Sequence, residues 1–447
     1  MNRLHHLTIR SGFQSEAWFM GMLHVCLPLP RLTELFCHFF LEAGKLSPSG
    51  DTEDDYEDSH YHSIANPIPE LKDILDTTIA TRTSFKGSID SKIKALRFPE
   101  PEDDETDLIR LVLPILRSEL VDVEVLEVPR LLDNRPEEFY ENIVRDYCPS
   151  LKHLILPPYD DDSQMANNFI RAATGLKTVR GVRLSDEIGW SSRQMIRTLV
   201  QYQSKTLEDV ELMLCRMIRS CDQQALFVFC KQLKRFWMSP DGMSEGQHGT
   251  EFRDIITGAW SCLGMRELSL TLNRSIDVKA TLEAMRQDSL NKGTGDGELE
   301  VDEPYRAGDK EQERKATAWA AKQAFAQIGR LTALESLALG TDEGPHGSDA
   351  WVLESKWDLT LSKGYLSELA GLKKLRHFHM RTDHWSMMGQ AEVEFMDAEW
   401  PWLDYVTFDI YSMNNAQFLK EVKLPHWQWL QQKRPALPLR LIDLFPE

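Results

Sequence analysis

The chain has 447 residues, with 51 Lys plus Arg against 70 Asp plus Glu, and a net charge of −19. A surface that acidic repels phosphate backbones and anionic lipid, which argues against nucleic acid or a membrane surface as a general partner. A local basic patch is not excluded by the total, and the 42% hydrophobic content is enough for a large core.

One pattern recurs from the first residues onward. Leu4-His-His-Leu7-Thr-Ile9 reads apolar-x-x-apolar-x-apolar, and Leu32-Thr-Glu-Leu35-Phe-Cys37 repeats it 28 residues later. Between them Ser15 suits a helix N-cap, followed by Trp18, Phe19, Met22, Leu23 and Cys26 at helical spacing. The apolar run Ala17–Leu29 reads as that repeat helix and not as a targeting segment, and no stretch is long enough to span a membrane. A strand pattern that begins at once leaves the first repeat without a cap in view. It predicts an upstream domain or a partner that covers it.

Residues 45–70 break the period. They are rich in Ser, Pro, Gly and acidic residues, with Asp51–Asp58 at their centre, and read as a disordered acidic insertion. Such a segment is a solvated loop, or a docking or phosphorylation-controlled one. The pattern returns at Ile93-Lys-Ala-Leu96-Arg-Phe98 and Val123-Glu-Val-Leu126-Glu-Val128. Leu151-Lys-His-Leu154-Ile-Leu156 and Leu176-Lys-Thr-Val179 follow. Amphipathic helices lie between. Asn134 and Pro136 suit the start of one through Tyr147. Asp162 or Ser163 opens a second, stopped by Gly175, and Ser191 or Ser192 opens a third through Val200.

The clearest copies come next: Leu207-Glu-Asp-Val210-Glu-Leu212, Leu233-Lys-Arg-Phe236-Trp-Met238 and Met265-Arg-Glu-Leu268-Ser-Leu270, spaced by 26 and 32 residues. Residues 289–316 are rich in Gly, Asp, Glu and Lys without apolar rhythm and read as a second disordered insertion. A helix is predicted over 317–329, and Leu334-Glu-Ser-Leu337-Ala-Leu339 resumes the pattern. Leu375-Arg-His-Phe378-His-Met380 and Leu403-Asp-Tyr-Val406-Thr-Phe408 continue it, and Leu437-Pro-Leu439-Arg-Leu441 is a weak last copy fit for an edge strand.

Twelve blocks at this period, with the weak last copy after them, predict an α/β leucine-rich-repeat solenoid of about twelve irregular repeats. A curved parallel sheet would lie on the concave face and helices on the convex face. A helical-repeat solenoid is the alternative architecture. The predicted organisation is first repeats over 1–44, the acidic insertion 45–70, central repeats 71–288, the charged insertion 289–316, and repeats with a cap over 317–447.

In each block positions 1, 4 and 6 face the core, and the residues between them face the concave surface, the default contact surface of a solenoid. The candidates for protein contact are His6, Phe36, Arg97, Glu127, His153 and Arg180, then Asp209, Glu211, Arg235, Trp237, Glu267, His377, His379 and Tyr405. Glu34 lies on the same face. Trp237 and Arg235 are of the residue types that anchor interfaces. Position 9 carries Asn or Cys in the repeat consensus; here it holds Cys215, Asp241, Asn273, Asp342 and Asp383 in five blocks and departs in the rest, as at Tyr159 and Tyr411, so Cys215 and Asn273 read as structural.

Candidate chemistry is sparse. The seven cysteines lack Cys-x-x-Cys spacing and point to reduced thiols, hence a cytoplasmic or nuclear protein. His377, His379, His384 and Asp383 are too loose a set to predict a metal. No phosphate loop, nucleophile elbow or zinc-helix motif occurs, so neither an enzyme nor a cofactor is expected.

Cys148-Pro-Ser-Leu-Lys-His-Leu154, Thr206-Leu-Glu-Asp-Val-Glu-Leu212, Cys230-Lys-Gln-Leu-Lys-Arg-Phe236, Leu331-Thr-Ala-Leu-Glu-Ser-Leu337 and Leu372-Lys-Lys-Leu-Arg-His-Phe378 resemble the repeats of F-box/leucine-rich-repeat proteins. The resemblance covers most of the chain outside the two insertions. It implies a substrate-recognition subunit whose F-box docks on a Skp-type adaptor of a cullin ubiquitin ligase. No F-box-like segment precedes Leu4 here, so that docking requires an F-box upstream of this chain. The alternative is a free-standing repeat protein that scaffolds or regulates a protein ligand.

Overall fold

The computed structural model describes residues 6–12, 25–26, 29, 32–40, 73, 75–80, 92–97, 115–118, 121–127, 137–156, 163–183, 191–213, 218–238, 249–273, 276–291, 309–341, 359–380, 388–410, 425–437 and 439–443. The acidic stretch 45–70 and the cap candidates Ser15, Asn134 and Pro136 lie outside them. So do the position-9 candidates other than Asn273. The chain divides into two compact units, Met1–Gln203 and Ser204–Glu447.

From Leu35 to Val406 each block becomes a strand whose fourth residue, and its sixth where described, is buried, while most of the described residues between them stay at least partly exposed. In the first unit β1 (His6–Gly12), β2 (Glu34–Phe40), β3 (Ile93–Arg97), β4 (Val121–Glu127), β5 (His153–Ile155) and β6 (Thr178–Arg183) pair in chain order, all parallel. Fourth-position residues pair with fourth-position residues: Leu35 with Leu96, Leu96 with Leu126, Leu126 with Leu154, and Leu154 with Val179. All five are buried.

The helices Glu137–Asn142, Ser163–Ala172 and Ser191–Thr198 lie between strands in sequence, the first and third running on into wider π-type turns. Gly175, at φ 86°, stops the second helix as its sequence position predicts. Gln203 then satisfies that helix end from the next repeat. Its side-chain amide donates to the Ile170 and Ala173 carbonyls at 2.7 Å each and accepts from the Leu176 N–H at 3.0 Å. Gly181 has φ 75°, and a Cβ there would stand 2.5 Å from the Leu156 carbonyl oxygen, so the close pass of β6 needs glycine.

The second unit repeats the scheme with β7 (Asp209–Met213), β8 (Arg235–Met238), β9 (Thr250–Glu251), β10 (Glu267–Asn273), β11 (Ser336–Thr341), β12 (His377–Met380), β13 (Tyr405–Ile410) and β14 (Leu439–Asp443). All pair in parallel. The short β9 takes over from β8 along the far half of β10, with Leu272 opposite Thr250. The sequence pattern gave no sign of this two-residue strand.

Two backbone motifs close each repeat. The first residue of a block donates to the carbonyl three residues earlier, as Leu233 does to Cys230, Met265 to Cys262, Leu334 to Leu331 and Leu403 to Trp400. The second residue donates to the second residue of the preceding block: Lys234 to Glu208, Arg266 to Lys234, Glu335 to Arg266, Arg376 to Glu335 and Asp404 to Arg376, at 2.7–2.8 Å. Side chains on the helix side complete the core, with Phe227 against Phe236 at 4.9 Å and Trp400 against Phe378 at 5.1 Å. A parallel sheet with its apolar residues turned to a helical layer, one strand and one connecting segment per repeat, is the predicted leucine-rich-repeat architecture.

The expected disorder over 289–316 needs correction at both ends. The helix Val278–Asn291 covers its first residues, and the helix Lys310–Gly329 covers 310–316. Lys, Glu, Gln, Arg and Ala are strong helix formers without apolar rhythm. Asp309 caps the second helix by accepting from the backbone N–H of Glu311 and Gln312. Leu282, Met285 and Ala316 form the buried seam of the pair. Residues 292–308 lie outside the described set.

Candidate functional site

Strand register puts the predicted contact residues in two cross-strand rows on the sheet face away from the helices. In the first unit one row runs His6, Glu34, Ala95, Val125, His153, Thr178, and the other Thr8, Phe36, Arg97, Glu127, Ile155, Arg180. Only the backbone of His6, Phe36 and Arg97 is described. Glu127 and His153 are half-buried and Arg180 is exposed. His153 Nδ1 lies 2.9 Å from the Thr178 hydroxyl, and burial holds the imidazole below its ordinary pKa, helped by Lys177, Arg180 and Lys152.

In the second unit the first row is Asp209, Arg235, Glu267, Ser336, His377, Tyr405. Arg235 sits among three carboxylates. Its Nη1 donates to Asp209 at 3.3 Å and Glu211 at 2.9 Å, and its Nε donates to Glu267 at 3.1 Å. Burial works against the guanidinium charge, but Asp209, Glu211 and Glu267 outweigh it and raise the pKa further. The guanidinium also lies 5.9 Å from the Trp237 ring centroid. Arg235 is therefore a fixed centre that holds Asp209, Glu211, Glu267 and Trp237 together, with one positive charge against three negative ones.

Further along the row His377 stacks on Tyr405 at 4.0 Å and 23°. Burial depresses the His377 pKa, with Arg376 adding to the shift and Asp404 opposing it. His379 is half-buried and pairs across to Ala338 and Thr407. The face is not uniformly open: Ser269, Thr271, Ala338 and Thr407 on it are buried.

The sequence analysis missed the charge pairing at the second block position, on the rim of this face. Glu124 receives Lys94 at 2.7 Å and Lys152 at 2.8 Å; Glu208 receives Lys234 at 2.6 Å, and Asp404 receives Arg376 at 2.6 Å. Stacking the blocks by their first apolar residue brings these opposite charges side by side, so the signal was present. The hydrogen bonds from Lys152 and Lys94 bring the Glu124 carboxyl down to about 2. A depressed carboxylate adds stability above its unfolded-state pKa and loses it as pH falls through the folded one. The stability gap between wild type and Glu124→Gln is expected to be small, because both lysines are half exposed. It should close as pH drops from the ordinary 4.5 toward 2, as followed by urea unfolding at stepped pH.

The buried Cys148, Cys230 and Cys262 have thiols pushed up to about 12 by burial, which suits packing and not nucleophilic chemistry. Among the described residues no group of three or more His, Cys, Asp or Glu is arranged to hold a metal. His384 and Asp383 are outside that set. Among the described residues, too, no helix is long and apolar enough to cross a membrane.

No protein-family model matches the chain, and no curated protein is significantly similar to it. Among solved structures the chain is similar to the leucine-rich repeat-containing protein LegL7 from Legionella pneumophila. Identity is 12%, coverage is 73% of this chain and 97% of that one, and the TM-score is 0.31. The leucine-rich-repeat assignment rests on this chain's own register. It is a repeat fold by its strands.

Proposed function

We propose that the chain is a protein-interaction module that receives a protein ligand on the sheet face away from the helices. The observation that carries this is the Arg235 cluster. It fixes acidic side chains and a half-buried Trp237 in one place on the helix-free face. A rigid aromatic beside preorganised charge is what a protein contact uses. None of these groups is arranged as nucleophile and base. The finer reading, substrate selection for a cullin ubiquitin ligase through a Skp-type adaptor, is supported by the resemblance of the repeat blocks alone. A free-standing scaffold fits the same face.

The test is affinity capture from an extract of the native source, with this chain tagged at its C-terminus and Trp237→Ser run in parallel. A partner held by wild type and lost with Trp237→Ser is the expected result. Skp-type adaptor and cullin in the same eluate would favour the ligase reading, and a partner recovered without them the scaffold. A partner retained equally by both proteins would remove the sheet face from the proposal.

A further inference from the structure

Six turns carry the chain of the second unit from a helical segment into a strand: residues 204–208, 229–234, 261–266, 330–335, 371–376 and 399–404. The backbone ladder from Glu208 through Lys234, Arg266, Glu335 and Arg376 to Asp404 stacks them in that order along one rim of the sheet. Of the six large apolar side chains that are exposed among the described residues, three stand on this rim: Phe229 at 58%, Leu263 at 48% and Trp402 at 67%. Phe229 and Leu263 are on neighbouring turns, tied together by Ser261, whose N–H donates to the Phe227 carbonyl at 2.9 Å and whose hydroxyl donates to the Val228 carbonyl at 2.6 Å.

The six turns hold eight Lys and Arg against four Asp and Glu, in a chain of net charge −19. Three of those acids are taken: Glu208 by Lys234, Glu399 by Lys373 and Asp404 by Arg376. Arg330 donates to Gln327. Lys205, Lys231, Arg266 and Lys374 remain, all exposed and in no ion pair among the described residues, against Glu335 alone. Carboxylates on adjoining elements do not cancel them. Asp209, Glu211 and Glu267 on the sheet face are held by Arg235, Glu368 by Lys322, and Asp397 by Lys433 and Arg434. Asp222 and Asp254 act on Cys221, at the other end of the helix Ser220–Phe229 from Phe229.

We propose that this rim is a second docking surface, apart from the sheet face, and that it takes a short segment of a partner protein in which large apolar side chains are interspersed with Asp and Glu. The apolar side chains supply anchors of the kind that interfaces use, and the unpaired cations select acidic residues around them. Anionic lipid would meet the same side chains, but the rest of so acidic a surface repels it. From the turn of Phe229 to that of Trp402 is four strand steps, roughly 19 Å at ordinary spacing, the length of about six extended residues, so a short segment suffices.

The probe is a fluorescein-labelled dodecapeptide with Leu at every third position and Glu at the others, followed by anisotropy with the full chain. An all-Glu peptide, the Leu/Lys counterpart, and vesicles of mixed phosphatidylserine and phosphatidylcholine run beside it. The Leu/Glu peptide is expected to bind more tightly than the other two. It should lose at least about tenfold in affinity with Phe229→Ser/Leu263→Ser/Trp402→Ser, and likewise with Lys231→Gln/Arg266→Gln/Lys374→Gln. All six side chains are exposed, so both variants should keep the wild-type urea midpoint. Where one does not, its single substitutions carry the measurement. Trp237→Ser should bind the peptide as wild type does. Loss with Trp237→Ser and not with the rim variants overturns the proposal and leaves the sheet face as the site. No binding by wild type, binding unchanged in the rim variants, or equal binding of the all-Glu peptide also overturns it. Vesicle binding that is lost in the rim variants, without peptide binding, overturns it in favour of a lipid surface.

Discussion

Replacing Trp400 by alanine is expected to cost about 4 kcal/mol, the largest loss among single truncations in the second unit. The indole is fully buried. Its N–H donates to the Leu369 carbonyl at 3.2 Å, and its ring meets Phe378 and Phe395 edge-on at 5.1 and 6.1 Å. Truncation removes the apolar burial, leaves a cavity between two repeats, and takes one of its two donors from the Leu369 carbonyl, which keeps the Leu372 N–H at 3.1 Å. Stacked against the other repeats, Trp400 occupies the place of Cys148, Cys230, Cys262, Leu331 and Leu372, each of which accepts from the residue three ahead. The backbone therefore tolerates smaller residues there, and the expected loss is packing rather than misfolding. Trp400→Leu should recover roughly half of it. Urea unfolding of the full chain checks both variants, with hydrogen exchange over 365–410 to confine the loss to this region.

That stacking argument shows what the sequence could carry. Blocks such as Leu207–Leu212 and Leu233–Met238 repeat the same three apolar positions, and a parallel ladder of repeats places like positions side by side. Val210 accordingly pairs with Phe236, and Phe378 with Val406. The same logic, applied to the third position of each block, accounts for the row Asp209, Arg235 and Glu267 in the strand register. It did not show that Arg235 is enclosed. By residue type Arg235 read as an interface anchor; in the structure its charge is engaged by three carboxylates, with the half-buried Trp237 beside it. Asking which opposite charge stands at the same position one repeat away would have found this cluster and the Lys94–Glu124–Lys152 chain as well.

Other features had no periodic signature. The helix start at Asp309 depends on a cap and on helix propensity, neither of which shows in apolar rhythm. The two-residue β9 is set by tertiary contacts: Glu251 N–H donates to the Ser220 hydroxyl at 2.7 Å, and Thr250 bonds the Gln223 side chain. Gln224 meanwhile accepts from the Trp260 indole at 2.8 Å and donates to the Gly258 carbonyl at 3.1 Å. Buried polar networks of this kind connect residues of unlike position in their repeats, so a search for repeated apolar positions passes over them. The burial of Ser269, Thr271 and Ala338 on the sheet face likewise has no periodic signature.

Substituting alanine for Gly329 should lower the stability of the second unit by about 3 kcal/mol, through overpacking rather than a cavity. Gly329 is the last residue of the long helix Lys310–Gly329 and is buried. The short helix Tyr365–Glu368 of the next repeat crosses it so closely that a Cβ on Gly329 would fall inside the Glu368 carbonyl oxygen. The approach is mutual, since a Cβ on Gly371 would stand 2.7 Å from the Gly329 carbonyl oxygen. Both obstacles are backbone atoms, which cannot rotate away as a side-chain tip does. Relief requires the two repeats to separate, which would pull Phe325 from its 5.7 Å stack on Tyr365. Gly264→Ala is the control: nothing lies within 4 Å of its Cβ position, and its effect should stay within about 0.5 kcal/mol. A Gly329→Ala midpoint in urea that matches the Gly264→Ala midpoint would show that the repeats can slide apart at little cost. Loss of amide protection over 310–380 in Gly329→Ala alone is the expected outcome, because each repeat is held mainly by its neighbours.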